Sequence, residues 1–355
     1  MKRYGVIMAG GGGTRFWPLS RKARPKQFLN LTGKDILVNE TIDRLSGCIA
    51  AEDIFIVTNV TQAELTLQET KGRIRRDHVL AEPAARNTAA CIGYAAMEIL
   101  KKYGDGIMCI LPSDAYIQKV DVYREVIEKA VRTAEETDSL VTIGITPTFP
   151  STGYGYIKRV AKEEAVWYPV EEFVEKPDME TAKEYLADGN YLWNSGMFIW
   201  KASTILKKFE ELLPDIYECL VKIGDAMGTE QEKEVLNEVY PVIPKISVDY
   251  GIMERSDDVV VLEGDFGWND VGSYDALEVL YAPDENGNLQ YGDCSLIDTE
   301  NCICYAKDKL IATIGLKDVI VVETEDAVLV CPKDRAQDVK KITEKLEKDG
   351  KTEYL

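Results

Sequence analysis

Short apolar runs alternate with amphipathic stretches along the first part of the chain. Four runs have the length, composition and bounding Gly, Pro or Asp residues of buried strands, at residues 3–9, 53–59, 106–112 and 139–145. Between them, apolar residues at helical spacing predict helices over residues 36–45, 89–102 and 122–136. This alternation predicts an α/β fold with a doubly wound, mostly parallel sheet, whose ligands bind beyond the carboxyl ends of the strands.

The pattern becomes mixed after residue 154 and changes again after a polar, turn-rich segment at residues 282–292. The mixed part predicts two strands and three helices, at residues 170–174 and 196–200 and at residues 179–188, 201–213 and 231–239. Residues 294–331 contain closely spaced short strands, typical of a small solenoid or sheet, and residues 333–348 predict a charged helix ended by Gly350. We therefore predict two domains, residues 1–280 and residues 285–355.

The charge of the chain argues against one class of partner. With 42 Lys and Arg against 61 Asp and Glu, the net charge is −19, so we expect no nucleic-acid partner because a phosphate backbone would be repelled. The single histidine, His78, excludes a multi-histidine metal site, and its position favours a structural role. Chemistry must therefore rest on carboxylates and on Lys or Arg.

The eight cysteines are scattered and form no C-x-x-C pair, which indicates free thiols in a reducing compartment. The apolar run at residues 4–9 is too short for the core of a signal peptide. No stretch approaches the ~18 apolar residues of a membrane helix. We therefore expect a cytoplasmic protein without a membrane partner.

The most informative segment is GGGGTRFWPLSRKARPKQFL, residues 10–29, directly after the first predicted strand. It contains five basic residues between positions 15 and 26 and no acidic residue. Consecutive glycines let several backbone N–H groups approach one oxyanion, so the segment predicts a polyphosphate cradle. Arg15 or Phe16 stands where G-x-G-x-x-G needs its third glycine, and Gly-Lys-Ser/Thr is absent, so neither a dinucleotide fingerprint nor a P-loop is supported.

The same segment resembles the opening motif of the sugar-1-phosphate nucleotidyltransferases, and its PLSR and PKQFL portions resemble the mannose-1-phosphate guanylyltransferase branch. Five further motifs follow in family order: EPAARNTA at 82–89, LPSDAYI at 111–117, FVEKPD at 173–178, WNSGMF at 193–198 and FGWNDVGSY at 266–274. The resemblance implies that mannose 1-phosphate and GTP react to give GDP-mannose and pyrophosphate. Such a reaction needs no general base, because the sugar phosphate is already ionised, and this agrees with the single histidine.

The resemblance also implies a role for each motif residue. Arg15 and Lys26 are the expected catalytic residues, because they would neutralise charge on the departing pyrophosphate and on phosphate oxygens. Asp114 and Asp270 are the expected ligands of Mg²⁺. Each also fits a purely structural role, Asp114 as the N-cap of a helix and Asp270 as a turn residue. The family often has His after the first aspartate, where this chain has Ala115.

Two further groups of residues follow from the motifs. The expected nucleotide-binding residues are Gly10, Gly11, Gly12, Gly13, Thr14, Glu82, Arg86, Asn87 and Thr88. The expected sugar-phosphate-binding residues are Glu175, Lys176, Asn194, Ser195 and Gly196. Alternatively, residues 82–88 form a loop that opens the helix predicted at residues 89–102, and the EKP sequence at residues 175–177 is an exposed turn. The choice of purine stays open at this point.

Alternative functions also stay open. The chain could use glucose 1-phosphate or fucose 1-phosphate, or UTP, in place of the expected substrates. It could instead be a catalytically silent subunit that senses GDP-mannose, although the presence of Arg15, Lys26, Asp114 and Asp270 argues against this. In the resembled family the C-terminal module is a short left-handed β-helix used in dimer contacts, so we expect a homodimer, and we expect no additional cupin domain.

Overall fold

The computed structural model describes residues 1–160 and 165–355. The chain divides into two compact units: unit 1 comprises Met1–Gly10, Ile42–Ser113 and Ile117–Trp268, and unit 2 comprises Gly11–Thr41, Asp114–Tyr116 and Asn269–Leu355. The predicted division of the chain near residues 280–285 stays a prediction. The spatial grouping crosses that point, because it joins two early segments to the C-terminal strands.

Eleven strands precede the C-terminal module in the described chain: β1 Arg3–Met8, β2 Ile54–Asn59, β3 Val79–Glu82, β4 Ile107–Pro112, β5 Tyr116–Ile117, β6 Leu140–Ile145, β7 Tyr156–Arg159, β8 Tyr168–Val174, β9 Tyr191–Lys201, β10 Val259–Glu263 and β11 Trp268–Asn269. Nine of them form one sheet in the order β3-β2-β1-β4-β9-β6-β10-β8-β7. Parallel pairing joins β1 to β2 and β4, β2 to β3, and β6 to β10.

The four predicted buried strands are confirmed as β1, β2, β4 and β6. Their side chains are buried almost without alternation, as expected for a sheet covered on both faces. β9 is longer than the predicted strand and runs antiparallel to both β4 and β6. The fold class is confirmed as a doubly wound, mostly parallel core, with antiparallel strands added at and beyond β9.

The helices of the described chain are α1 Leu37–Arg44, α2 Ala63–Glu69, α3 Asn87–Tyr103, α4 Val120–Thr137, α5 Met179–Asp188, α6 Ala202–Leu212, α7 Pro214–Ala226, α8 Glu232–Val239, α9 Val248–Gly251 and α10 Lys340–Lys348. The main core of unit 1 packs α3 and α6 onto the sheet, and α7 packs against these two helices. Across the described residues, no helix combines the length and the apolar character that a membrane span requires.

The C-terminal module contains six strands: β12 Leu289–Tyr291, β13 Cys294–Ile297, β14 Ile303–Ala306, β15 Ile311–Ile314, β16 Val319–Glu323 and β17 Val328–Pro332. β12, β14 and β16 pair in parallel in one sheet, β13 pairs in parallel with β15 in another, and β17 closes the first sheet antiparallel to β16. Cys302, Cys304 and Ile311 are buried in a common cluster. Parallel strands that alternate between two sheets confirm the predicted β-helix-like module.

The end of the chain differs in detail from the single helix that the sequence predicts. A 3₁₀ segment, Lys333–Val339, precedes α10. The prediction for Gly350 is confirmed, because its φ of 73° is left-handed and the N–H of the next residue, Lys351, bonds back to the carbonyl of Leu346 at 2.9 Å.

The Gly-rich basic segment belongs to the core of unit 2. Phe16 and Leu31 are fully buried in a cluster that also contains Ile303 and Val322 of the C-terminal strands. The Tyr274 hydroxyl donates to the carbonyl of Phe16 at 2.8 Å, and the two rings lie 5.0 Å apart. The segment predicted to bind phosphate is therefore packed on the C-terminal module.

Candidate active site

Lys26 is a buried cation that joins the two aspartates predicted to bind metal. Its ammonium donates to the backbone carbonyl of Asp270 at 2.6 Å and pairs with the Asp114 carboxylate at 2.9 Å. Only 7% of the Lys26 side chain is exposed, against 37% for Asp114. Because an ammonium has three donors, one donor of Lys26 remains beyond these two partners.

The glycines before Arg15 let the backbone close tightly on Lys26. Gly13 has φ 60° and ψ 31°, and a Cβ atom at this position would lie 2.3 Å from the Cβ of Lys26. Only glycine suits both the left-handed conformation and this approach. Arg15 follows after Thr14 and is exposed, and within the described chain no carboxylate pairs with it. Its guanidinium is therefore available to an anion.

Two other basic residues of this segment, Arg21 and Lys22, bind the C-terminal part of the chain. Arg21 donates to the carbonyl of Tyr354 and to the carboxylate of Asp326, both at 2.7 Å, and Lys22 donates to Glu347 at 2.6 Å. The basic run therefore serves two purposes. Some of its charges hold the C-terminal residues, and the polyphosphate cradle stays a prediction.

In unit 1, Glu82 and Gly10 lie side by side at the ends of β3 and β1. A Cβ atom at Gly10 would lie 3.2 Å from Oε2 of Glu82. The other carboxylate oxygen accepts a hydrogen bond from the Tyr240 hydroxyl at 2.5 Å. Burial raises the pKa of Glu82 above its ordinary value, and the bond from Tyr240 opposes this shift. Glu82 is thus a buried acceptor held in one orientation.

The neighbouring motif residues contact the segment before α9. The Arg86 guanidinium donates to the carbonyl of Pro241, and the Thr88 hydroxyl accepts from the N–H of Val248 at 2.9 Å. Asn87 is exposed at the start of α3, and its side-chain oxygen accepts from the N–H of Thr88 at 2.8 Å. Two of the three residues predicted to bind nucleotide therefore also hold this segment in place.

A second cluster of predicted residues surrounds the loop after β8. Lys176 has a left-handed backbone, with φ 52°, and its ammonium pairs with the carboxylate of Glu175. A Cβ atom at Gly155, just before β7, would lie 2.4 Å from Oε2 of Glu175 and 3.3 Å from the Cβ of Asn194. Gly155 therefore allows Glu175 and Asn194 to lie against the same backbone.

A β-bulge in β9 positions Asn194. The pairing of β9 with β6 shifts register between Thr142 and Gly144, and Gly196 has φ 70°. Ser195 is buried and donates to the carbonyl of Ile143 at 2.7 Å. The geometry gives Ser195 a part in holding the bulge, and its predicted contact with the sugar phosphate stays a prediction.

Asp249 of α9 lies beside these predicted residues, and the sequence did not reveal it. It accepts a hydrogen bond from the Asn194 amide at 2.9 Å. Burial, and then the negative charge of Glu175, raise the pKa of Asp249 to about 6. The only local sequence signal was Ser247, which caps this short helix by accepting from the N–H of Tyr250 at 3.3 Å.

Comparisons with known proteins place these residues in a family. The nucleotidyl transferase profile matches residues 4–286. A mannose-1-phosphate guanylyltransferase of Escherichia coli K12 is 40% identical over an alignment of 362 positions that covers 99% of this chain and 75% of that protein. The chain belongs to the mannose-1-phosphate guanylyltransferase family of nucleotidyl transferases. The predicted resemblance is confirmed.

Other relatives agree with this membership. A Vibrio cholerae protein named putative mannose-1-phosphate guanylyltransferase is 40% identical over 352 residues, 98% of this chain and 75% of its own length. A crystal structure described as mannose-1-phosphate geranyltransferase from Thermus thermophilus superposes with a TM-score of 0.89 at 37% identity, over 98% of this chain and 100% of that one. The C-terminal strands match the MannoseP isomerase/GMP-like beta-helix domain over residues 292–346.

Nucleotidyl transferases of this family typically use a divalent metal ion, and the geometry of unit 2 fits one. The Asp114 carboxylate and the backbone carbonyl of Asp270 both contact Lys26, and the Asp270 carboxylate lies against Gly272, where a Cβ atom would be 2.9 Å from it. The described residues contain no group of three or more His, Cys, Asp or Glu side chains that could hold a metal alone. Mg²⁺ is commonly held by one or two carboxylates together with phosphates and water.

Proposed function

We propose that this chain transfers GMP from GTP to mannose 1-phosphate, forming GDP-mannose and pyrophosphate. The observation that carries this proposal is the group of Lys26, Asp114 and Asp270 in unit 2, beside a segment that leaves Arg15 exposed. These are the charged residues that a polyphosphate substrate requires. The family membership then selects guanylyl transfer to mannose 1-phosphate among the reactions that such a group supports.

The reaction forms a bond between an oxygen of the sugar phosphate and the α-phosphorus of GTP, and breaks the bond from that phosphorus to the leaving pyrophosphate. No residue needs to accept a proton, because the attacking oxygen is already ionised near neutral pH. His78 is correspondingly engaged in structure: its ring stacks on Phe55, and its nitrogens lie 3.2 Å from the carbonyl of Ile54 and 3.1 Å from the Tyr103 hydroxyl. Catalysis therefore consists of positioning and charge neutralisation.

In this mechanism Arg15 binds the β- and γ-phosphates and stabilises the charge that develops as pyrophosphate departs. Lys26 orients Asp114 and supplies its remaining N–H to a phosphate oxygen. We propose Mg²⁺ as the metal, held by Asp114 and Asp270. When bound there, it would neutralise charge on the phosphate oxygens.

Recognition of the base and the sugar is assigned to unit 1. Glu82 is a buried acceptor that suits the N1–H and N2–H₂ donors of guanine, and Arg86, Asn87 and Thr88 complete the nucleotide motif. The glycines at 10–13 and Thr14 are assigned to the phosphates, and all of them except Gly10 belong to unit 2. Glu175, Asn194, Ser195 and Gly196 surround the sugar, and Lys176 binds its phosphate. These assignments are supported by the grouping of Gly155, Glu175 and Asn194.

We further propose a homodimer formed through the C-terminal module. Ile297, Ile314, Val328 and Val330 are more than half exposed on its strands, which is unusual for β-branched apolar residues and suits an interface. Light scattering at micromolar concentration should give the mass of a dimer, and a monomer would contradict the proposal. A cytoplasmic location is supported by the eight cysteines, all of which are free. The two domains of this enzyme are proposed as residues 1–280 and 285–355.

The function is tested by measuring pyrophosphate release from a panel of nucleotides and sugar 1-phosphates, with and without EDTA. We expect the highest kcat/KM with GTP and mannose 1-phosphate, and its loss with chelator. Higher turnover with UTP, or with glucose 1-phosphate or fucose 1-phosphate, would refute the assignment of substrates. Binding of GDP-mannose without any metal-dependent turnover would identify the chain as a sensor instead.

A further inference from the structure

The side-chain amide of Asn194 is held in one orientation by two partners of opposite type. Its Oδ1 accepts from the N–H of Gly196 at 3.1 Å, and its Nδ2 donates to Oδ1 of Asp249 at 2.9 Å. The first partner can only donate and an ionised carboxylate can only accept, so a flipped amide would oppose donor to donor and acceptor to acceptor. The orientation of Asn194 is therefore determined by chemistry at both ends.

The two bonds leave Asn194 with one N–H and one oxygen lone pair. A sugar hydroxyl both donates and accepts, so it can use both of these at once. Gly155 and Glu175 lie at the same place, as the close approach of a Cβ atom at Gly155 to Glu175 and to Asn194 indicates. A fixed amide beside a carboxylate is the kind of arrangement that distinguishes the position of one hydroxyl from its epimer.

Asp249 is itself held by the structure around it. The N–H of Val248 donates to the Thr88 hydroxyl at 2.9 Å, and the N–H of Ala89 donates to the carbonyl of Ile246 at 3.3 Å. The start of α3 thus fixes the start of α9. Asp249 is a half-buried carboxylate near the charges of Glu175 and Lys176, where an uncharged residue would be less costly to bury.

We propose that Asp249 is a positioning residue for mannose 1-phosphate: it holds the Asn194 amide in the orientation that binds a sugar hydroxyl, and it acts through Asn194. The proposal rests on the proposed function of Asn194 in the sugar site. It also explains why a carboxylate is present, since only an obligate acceptor excludes the flipped amide. Asparagine at position 249 could donate to Asn194 and so favour the wrong orientation.

The proposal is tested by a double-mutant cycle on Asp249→Asn and Asn194→Ala, with steady-state kinetics for both substrates. We expect Asp249→Asn to raise the KM for mannose 1-phosphate about tenfold, the effect of losing one hydrogen bond to a charged group, with the KM for GTP unchanged. Asn194→Ala should raise the same KM, and adding Asp249→Asn to it should produce no further increase. Asp257→Asn, an exposed carboxylate of the same unit, is the control and should leave both values unchanged.

Each other result would overturn the proposal in a distinct way. If Asn194→Ala raises the KM for mannose 1-phosphate while Asp249→Asn does not, the sugar site stands and the positioning role fails. Additive effects in the double variant would also reject it, because Asp249 would then act independently of Asn194. If Asn194→Ala leaves that KM unchanged, the sugar site itself fails. Asp249→Ala, which removes the acceptor without adding a donor, serves where Asp249→Asn is unstable, and should raise the same KM by a smaller factor.

Discussion

The two units build their site residues in different ways. In unit 2 the residues are charged and contact each other directly, with Lys26 buried against Asp114 and the carbonyl of Asp270. In unit 1 they are mainly carboxylates, amides and glycines, held by hydrogen bonds such as that from Tyr240 to Glu82 and that from Asn194 to Asp249. Under the proposed function, the phosphate and metal site of unit 2 is built around a buried cation, whereas the recognition site of unit 1 is built from fixed donors and acceptors. Substitutions in unit 2 should therefore lower kcat, whereas substitutions in unit 1 should raise the KM for mannose 1-phosphate.

The largest effect is expected at the two aspartates of unit 2. Asp114→Asn or Asp270→Asn should lower kcat on the order of 10³-fold, because a metal ligand is lost while the shape of the side chain is kept. Pyrophosphate release measured across a titration of Mg²⁺ checks this. Asp293→Asn, an exposed carboxylate in the same unit, should retain full turnover. A decrease in kcat of less than tenfold in both aspartate variants would contradict the proposed metal site.

Arg15 and Lys26 should separate catalysis from stability. Arg15→Ala should lower kcat on the order of 10²-fold with little change in the free energy of unfolding, because Arg15 is exposed and has no carboxylate partner in the described chain. Lys26→Met should lower kcat and should also lower the free energy of unfolding, by about 1–2 kcal/mol. The substitution removes the buried ammonium that pairs with the partly exposed Asp114 carboxylate.

Urea unfolding and steady-state kinetics measure the two quantities in parallel. Lys34→Ala, an exposed cation of unit 2, should change neither. Equal loss of nucleotide affinity and of turnover in Arg15→Ala would mean that this residue only binds the ground state.

In unit 1, Gly155→Ala should raise the KM for mannose 1-phosphate about tenfold and leave the KM for GTP unchanged. The added methyl group would lie 2.4 Å from the Glu175 carboxylate, which must then move. Gly153→Ala is a matched control, because its added methyl would meet only the Ser151 hydroxyl, at an ordinary 3.7 Å. A change in the KM for GTP alone would place Gly155 in the nucleotide site instead.

The smallest effect concerns pH. Because the pKa of Asp249 is raised from 3.8 to about 6, the folded protein holds a proton in that window which the unfolded chain has lost. Asp249 therefore makes stability fall as pH rises towards 6, and Asp249→Asn removes this contribution. When the pH is raised from 5.5 to 7.5, the unfolding free energy of Asp249→Asn should therefore increase relative to that of the wild type. Asp257→Asn should show the pH response of the wild type.

The sequence predicted most of the sheet because a buried parallel strand is a short apolar run with clear ends, as in β2 and β6. It underestimated β9, because the polar Asn194 and Ser195 interrupt the apolar pattern. These residues belong to a bulge, where the pattern is locally broken while the strand continues. α7 was not predicted, although Pro214 at its first turn is a regular start signal.

The sequence named candidate site residues where a local motif carries the chemistry, as at Lys26 and Glu82, and their roles stay predictions. Partnerships between distant segments were beyond sequence reasoning. Arg21 was counted among the phosphate-binding charges because its partners, Asp326 and Tyr354, lie more than 300 positions further along the chain. Asp249 stands in none of the six motifs, and its hydrogen bond from Asn194 joins segments that are 55 positions apart.

The packing of the Gly-rich segment onto the C-terminal strands has a consequence for shortened forms of this enzyme. A chain ending at residue 286 would retain the whole nucleotidyl transferase match, yet Phe16 and Leu31 would lose the apolar surface of Ile303 and Val322 that buries them. Trp17 and Arg21 would likewise lose Tyr354, whose carbonyl accepts from both at 2.7 Å. Such a truncation should expose the apolar side chains of the Gly-rich segment and change its position. An intact set of signature motifs is therefore not by itself a guarantee of an active guanylyltransferase.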